Sequence, residues 1–493
     1  MNLVSTLKEK KSIKLYSESG KVTTSKELFF AVDKNTEMLL SMGIKKSDTL
    51  AIVLENSTNF VSAFLSVINC CISAPLNPSY SESEFDFFYS DLLPKAIITN
   101  FDDDHPCIKV AKKKKIKIIF VSSHVFKNEN YNLKIKKSAL SIKSIALILH
   151  TSGTTSRPKM VALSHTNLLE SAKNIASTLK LSKADKNIIL MPSFHIHGIV
   201  ASILAPLSAG SSLVVLSKFN ALTFFKNLKL HKPTWFTAVP TMLQSILDRA
   251  QKNKAIIKNS KLRFIRSSSA SLPITILEEL EKVFKVPVIE SYGMTEAAHQ
   301  MTTNLLPPKK RKIGSVGVPF GLKVRVVDKK LKACLPFKEG EIVIKGKSVF
   351  KTYLAKKEVN KKAFSAGWFK TGDIGYIDND GYLFISGRIK EIINRGGEKI
   401  SPKEVDEAFM KHHKVDKAVA FSVKHKKLGE DISLAIVLKS NKKCDATELK
   451  EYAKDKLAPF KIPRKIYFVK KIPVGSTGKL QRIGLSKKLG IES

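Results

Sequence analysis

The chain has 493 residues, enough for two or three domains with substantial cores. Hydrophobic residues make up 43% of it, with 23 Gly and 19 Pro, which excludes a disordered, collagen-like or low-complexity protein. Against 84 basic residues stand 43 acidic ones, for a net charge of +41. A field of that sign attracts polyanions. Yet the lysines are dispersed and no arginine-rich arm occurs, so a general lysine bias explains the charge better than a nucleic-acid surface.

Cys70, Cys71, Cys107, Cys334 and Cys444 are odd in number and form no CxxC pair. That argues against a disulfide framework or a zinc site and for a reducing, cytoplasmic setting, with the thiols as small buried hydrophobes. Met1 to Lys14 has no apolar leader. The stretch from Asn187 to Ser217 lacks Asp, Glu, Lys and Arg, but Pro192, Gly198, Pro206 and Gly210 break it. It reads as strand, loop, helix and strand rather than a membrane span. The last three residues are not the Ser-Lys-Leu peroxisomal address.

Along the chain, the pattern predicts a helix over Ser25–Met42, then buried strands over Leu50–Leu54, Ala96–Thr99, Ile116–Ser122 and Ile145–His150. Further strands follow at Asn187–Met191, Ser212–Leu216, Trp235–Val239, Phe264–Ser267 and Pro287–Ser291, with a helix over Ile274–Phe284. Such alternation predicts an α/β fold of doubly wound sheets. From Gly314 to Leu383 the texture changes to short strands around the turn Asp378-Asn379-Asp380-Gly381, at Val324–Val327, Gly340–Lys345, Gly375–Ile377 and Tyr382–Ile385. These predict an antiparallel β subdomain. A helix over Ser401–Lys411, with Glu404 in a capping-box position, then opens a small α+β domain. Its strands are expected at Val415–Val423 and Ser433–Leu438, with a second helix over Thr447–Leu457. A hinge at Arg388–Lys390 would divide the chain into 1–388 and a mobile 389–493.

The strand ending at His150 runs into Thr151-Ser152-Gly153-Thr154-Thr155-Ser156-Arg157-Pro158-Lys159. Hydroxyls and bare N–H groups at a strand end can encircle phosphate oxygens, and Lys159 supplies positive charge. No second glycine precedes the lysine, so this is not a Walker A loop. Tyr292-Gly293-Met294-Thr295-Glu296 offers an aromatic face, a hydroxyl and a carboxylate, suited to a base, a phosphate and a hard cation. Asp373 ends Gly367-Trp368-Phe369-Lys370-Thr371-Gly372-Asp373, where an acceptor-only side chain can take two ribose hydroxyls. Gly387 to Pro402 and Pro473 to Arg482 complete five motifs.

In this order the motifs resemble the adenylate-forming superfamily of acyl-CoA synthetases, luciferases and peptide-synthetase adenylation domains. The resemblance covers about Ser25 to Arg482 and departs from the usual loop at Ser156 and Met160, where glycine is common. It implies that Thr151, Ser152, Gly153, Thr154, Thr155 and Lys159 hold ATP phosphates, and that Tyr292 packs on adenine. Thr295 would contact the α-phosphate and Glu296 would help hold Mg²⁺. Ser269, Ala270, Glu290 and Ser291 would pass by the nucleotide, Asp373 would take the ribose, and Arg388 would reach ribose or phosphate. Lys390 would be the pivot, with Gly396 and Gly397 admitting the coenzyme A arm. Lys479 would bridge the acyl carboxylate and the α-phosphate, cancelling repulsion between two anions.

His195 matches the family's aromatic-histidine segment, and with Ser269 and His299 it would line the acyl slot. Such polar groups penalise a fatty tail and suit a second carboxylate. These stretches look like the oxalate–CoA ligase subgroup. The expected enzyme is a monomer or homodimer that uses ATP, Mg²⁺ and coenzyme A on a small carboxylic acid, oxalate first. A ligase for medium- or long-chain fatty or aryl acids, and a polyanion-binding protein on the same fold, are the alternatives.

Overall fold

Alternating apolar residues along the parallel strands feed two different cores. Ile52 and Leu54 enter one hydrophobic cluster, while Ala51 and Val53 enter another. Ile189 likewise faces one cluster, and Ile188 and Leu190 the other. A strand buried on both faces is rich in apolar residues on both, as the runs Leu50–Val53 and Ile188–Leu190 are. The computed structural model describes residues 2–122, 124–127, 140–151, 158–354, 357–474 and 482–491.

Two large sheets carry the first part of the chain. One has seven strands, in the order 125–127, 117–122, 96–99, 49–53, 72–75, 145–151 and 159–164, parallel except at its two edges. The other has nine, in the order 318–319, 299–303, 288–294, 264–268, 235–238, 186–189, 212–215, 14–17 and 22–24, of which the six from 288–294 to 14–17 are parallel. The helices Thr58–Ile68 and His165–Thr178 contribute to the largest cluster, which takes side chains from both sheets. Phe60 through Ile68 is buried at every position, as a helix packed on all sides must be. The doubly wound α/β expectation is met.

A five-stranded antiparallel sheet follows, built on Leu322–Val327, Gly340–Gly346, Phe364–Ser365, Trp368–Ile377 and Leu383–Arg388. Beyond it the chain makes its own five-stranded sheet with separate cores, from Ile393–Arg395, Glu398–Ile400, Val415–His425, Gly429–Leu438 and Lys465–Phe468. The described residues of this part touch the rest through polar contacts. Gln244 Nε2 donates to Asp416 Oδ1 at 2.8 Å, and Lys403 Nζ to the Ile385 carbonyl at 2.6 Å.

Three expectations are corrected. Ser401 does not cap its helix through a capping box with Glu404: its hydroxyl donates to the Ser386 carbonyl, and Glu404 pairs with Lys461. The tertiary partners simply lie closer than the local ones. Cys334 and Cys444 are only half-buried, unlike the three buried cysteines, because both sit in irregular segments between strands or before a helix. The strand expected at Gly375–Ile377 begins at Trp368. No described helix is long and apolar enough to cross a membrane.

Candidate active site

The nine-stranded sheet changes direction between the strands 186–189 and 235–238: from this point the order runs to 212–215 on one side and to 264–268 on the other. Such a reversal opens a crevice at the carboxyl ends of the strands, where ligands bind in doubly wound sheets. His197 follows the first strand and Thr237 lies near the end of the second. Arg266 and Ser269 come from the next strand and the loop beyond it, and His299 from the antiparallel strand His299–Thr303.

These side chains form one network. Arg266 is fully buried, and burial lowers its pKa to about 9. Its Nη1 donates to His299 Nε2 at 3.1 Å and to Thr237 Oγ1 at 3.2 Å, while Nη2 donates to Gln300 Oε1 at 3.2 Å. His197 Nε2 lies 2.6 Å from Thr237 Oγ1, and its Nδ1 is 3.0 Å from Ser269 Oγ. The His197 and His299 rings stack with centroids 4.6 Å apart. Ser269 holds a left-handed φ of 74°, and His299 one of 96°. Strained backbone of this kind is kept where the surroundings over-determine it.

Gly293 makes this arrangement possible. The pairing of Val288–Met294 with His299–Thr303 shifts register between Tyr292 and Gly293, and a Cβ on Gly293 would lie 1.8 Å from the His299 carbonyl oxygen. Only a glycine admits that approach.

A second cluster gathers where the paired strands 145–151 and 159–164 meet, at Thr151 and Lys159. Thr151 and Lys159 are cross-strand partners, and Thr151 Oγ1 donates to the Lys159 carbonyl at 3.4 Å, so the two ends of the loop are adjacent. Lys159 Nζ sits 4.7 Å from the centre of the Tyr353 ring. The Tyr353 hydroxyl donates to Glu296 Oε1 at 2.8 Å. Glu296 is buried, and burial raises its pKa while the Tyr353 bond and the Lys159 charge oppose the rise. Thr295 opens the short turn Thr295–Ala297 beside it.

The third cluster is Asp373. The Tyr292 hydroxyl and Arg388 Nε converge on its two carboxylate oxygens, the latter at 2.8 Å. Asp373 and Arg388 face each other across neighbouring strands. Glu290, on the strand leading to Tyr292, is buried, and burial lifts its pKa to about 7.

Residues 6–354 match the AMP-binding enzyme family, and residues 404–479 match the AMP-binding enzyme C-terminal domain.

The chain belongs to the AMP-binding enzyme family.

It is 41% identical to an oxalate–CoA ligase of Arabidopsis thaliana, over 94% of this chain and 93% of that one. It is 40% identical to an oxalate–CoA ligase of Saccharomyces cerevisiae, over 89% and 86% of the two chains. Its fold matches ATP-bound MatB from Rhodopseudomonas palustris with a TM-score of 0.91 at 26% identity, over 99% of each chain.

Within this family fold, the predicted site residues fall into the three clusters above. Ser269, His299, Thr295, Glu296, Lys159, Thr151, Tyr292, Asp373 and Arg388 belong to them directly. Ser291 is buried one residue before Tyr292, and Ala270 is exposed one residue beyond Ser269. Ser152, Gly153, Thr154, Thr155 and Lys479 lie outside the described residues. Lys390 is exposed just beyond the strand ending at Arg388. Gly396 and Gly397 form the tip of the hairpin 393–400 with φ of 60° and 101°, a turn that demands glycine for its own sake. His197 joins Ser269 to His299. His195 sits half-buried two residues earlier, its Nδ1 accepting from the His197 N–H at 3.3 Å.

Sequence reasoning missed Arg266, Thr237 and Gln300 as a group, and Tyr353 as the partner of Glu296. One signal for Arg266 was available: a lone cation inside the apolar run Phe264-Ile265-Arg266.

Proposed function

We propose that the chain joins a small dicarboxylic acid, oxalate first, to coenzyme A through an acyl-adenylate, with release of AMP and pyrophosphate. The observation that carries this reading is the polar cluster of Ser269, His197 and His299 on the buried Arg266. A fatty tail there would leave the buried Arg266 charge without a counter-ion, which is costly. A second carboxylate supplies one. The names of the relatives in plant and yeast agree with it.

In the first half-reaction the acid's carboxylate oxygen attacks the α-phosphorus of ATP and pyrophosphate leaves. Thr151 to Lys159 holds the β and γ phosphates, and Thr295 contacts the α-phosphate. Lys479 bridges the two anions and stabilises the charge that develops. Tyr292 lies along the adenine and Asp373 takes the ribose hydroxyls, its carboxylate pre-aimed by Tyr292 and Arg388. Glu296 fits Mg²⁺: a buried carboxylate with hard oxygen neighbours and a raised pKa gains from a cation. Mg²⁺ is commonly held by one or two carboxylates plus substrate phosphates. When bound it supplies charge neutralisation on the phosphates.

In the second half-reaction the part of the chain from 389 onward turns about Lys390 against residues 1–388. Lys479 leaves, Gly396 and Gly397 approach, and the coenzyme A thiolate attacks the acyl carbon and expels AMP. No protein nucleophile is required. The cytoplasm is the compartment that suits the free thiols.

Pyrophosphate release over a panel of short mono- and dicarboxylates and fatty acids tests the reading. Oxalate or another short dicarboxylate is expected to be the preferred acid. Strong activity on C8–C16 fatty acids with none on oxalate would reject it.

A further inference from the structure

Resting on that reading of the slot, we infer that Arg266 is a positioning and specificity residue. It fixes the proton of both His197 and His299 on Nδ1, so that the hydrogen-bond chain runs outward from Arg266 and ends on Ser269 with its hydroxyl hydrogen directed at an anion.

A guanidinium has donors and no acceptor. His299 Nε2, which receives Arg266 Nη1 at 3.1 Å, is therefore an acceptor and carries no proton. Thr237 Oγ1 receives the same Nη1 at 3.2 Å. Its own hydroxyl hydrogen turns to His197 Nε2, 2.6 Å away, which makes that nitrogen an acceptor too. Arg266 Nη1 also lies 3.5 Å from His197 Nε2, a contact that only an unprotonated nitrogen tolerates well. An imidazole that accepts on Nε2 holds its hydrogen on Nδ1. His197 Nδ1–H then donates to Ser269 Oγ at 3.0 Å, and the serine hydroxyl hydrogen is directed onward. Every hydrogen in the chain from Arg266 through Thr237 and His197 to Ser269 points the same way. Gln300 completes the mounting: its Oε1 accepts from Nη2, while its Nε2 donates to Thr178 Oγ1 at 3.3 Å, which fixes the amide orientation.

The charge adds to the direction. Arg266 is fully buried, its Nε has no hydrogen-bond partner, and no acidic side chain pairs with it among the described residues. A buried cation without a counter-ion is costly. An anion seated beyond Ser269 and the two rings supplies the missing charge. An uncharged acyl tail does not, so Arg266 selects against it without touching it.

The test combines two readouts on the full chain. Long-range ¹H–¹⁵N NMR at neutral pH, assigned with His197→Asn and His299→Asn, reports each ring's tautomer without any substrate. The expected result is Nδ1–H on both rings in the wild type, and loss of that uniform state in Arg266→Met. In steady-state kinetics Arg266→Met is expected to raise KM for oxalate about tenfold or more, with KM for ATP little changed, and Arg266→Lys to recover part of the loss. Nε2–H on either ring of the wild type, or an unchanged oxalate KM in a folded Arg266→Met, would overturn the inference. If Arg266→Met fails to fold, the wild-type spectra and Arg266→Lys decide. A wild type that ignores oxalate removes the substrate reading alone, because the spectra still judge Arg266.

Discussion

Replacing Tyr353 by Phe removes one hydroxyl and keeps the ring that packs edge-on against Phe350 and lies under Lys159. The lost group donates to Glu296 Oε1 at 2.8 Å, inside a buried pocket. A hydrogen bond to a charged group contributes about 1.5–3 kcal/mol. The ionised form of Glu296 loses that support, and Mg²⁺ affinity in the presence of ATP falls roughly ten- to a hundredfold. The direction with pH follows from burial, which already raises the Glu296 pKa. Without Tyr353 the neutral acid is favoured further. The acid limb of kcat/KM therefore moves to higher pH, and the magnesium defect shrinks as pH rises. Stability follows the same linkage. A carboxyl whose folded pKa is raised stabilises the fold at low pH, and that contribution is lost as pH rises through the folded value. In the variant this loss occurs at higher pH. Pyrophosphate release at subsaturating Mg²⁺ across a pH series measures the effect. An acid limb and a magnesium requirement identical to wild type would refute the reasoning.

Four further outcomes are expected. Gly293→Ala drives a Cβ into the His299 carbonyl, so it should lower the melting temperature by the equivalent of about 1–3 kcal/mol and abolish adenylation; a fully active, equally stable variant would contradict the bulge argument. Lys479→Ala should stop acyl-adenylate formation yet spare thioester formation from supplied acyl-AMP, and equal loss of both steps would contradict its assigned role. Gly397→Ala, at a φ of 101°, should cost about 1 kcal/mol in denaturant unfolding and slow the thioester step more than adenylation. Arg482→Met should uncouple the end of the chain: Arg482 pairs with the buried Asp406 and donates to the Ala420 carbonyl at 3.0 Å, and removing one partner of such a pair costs about 3–5 kcal/mol, visible as early melting of residues beyond 393.

Much of this protein is legible locally. Most of the parallel strands announce themselves as apolar runs because both faces are covered, and the helix over Ile274–Phe284 follows from its helical pattern. The motif residues Thr151, Lys159, Tyr292, Thr295, Glu296, Asp373 and Arg388 are likewise visible in sequence, because each falls in a short motif of recognisable composition. What a sequence fixes in this way is which segments form elements and which chemical groups stand at their ends.

Pairings across elements are another matter. Glu296 and Tyr353 are 57 positions apart, and Tyr292 and Asp373 are 81 apart. Arg266 gathers Thr237, His299 and Gln300 from two other strands whose order in the sheet no local pattern encodes. The same limit hides the contact of His197 with Ser269: the two are 72 positions apart, and the helix that opens at His197 carries its ring there. Strand order and loop path bring distant groups within 3 Å of one another, and that proximity is a property of the folded sheet rather than of any stretch of chain.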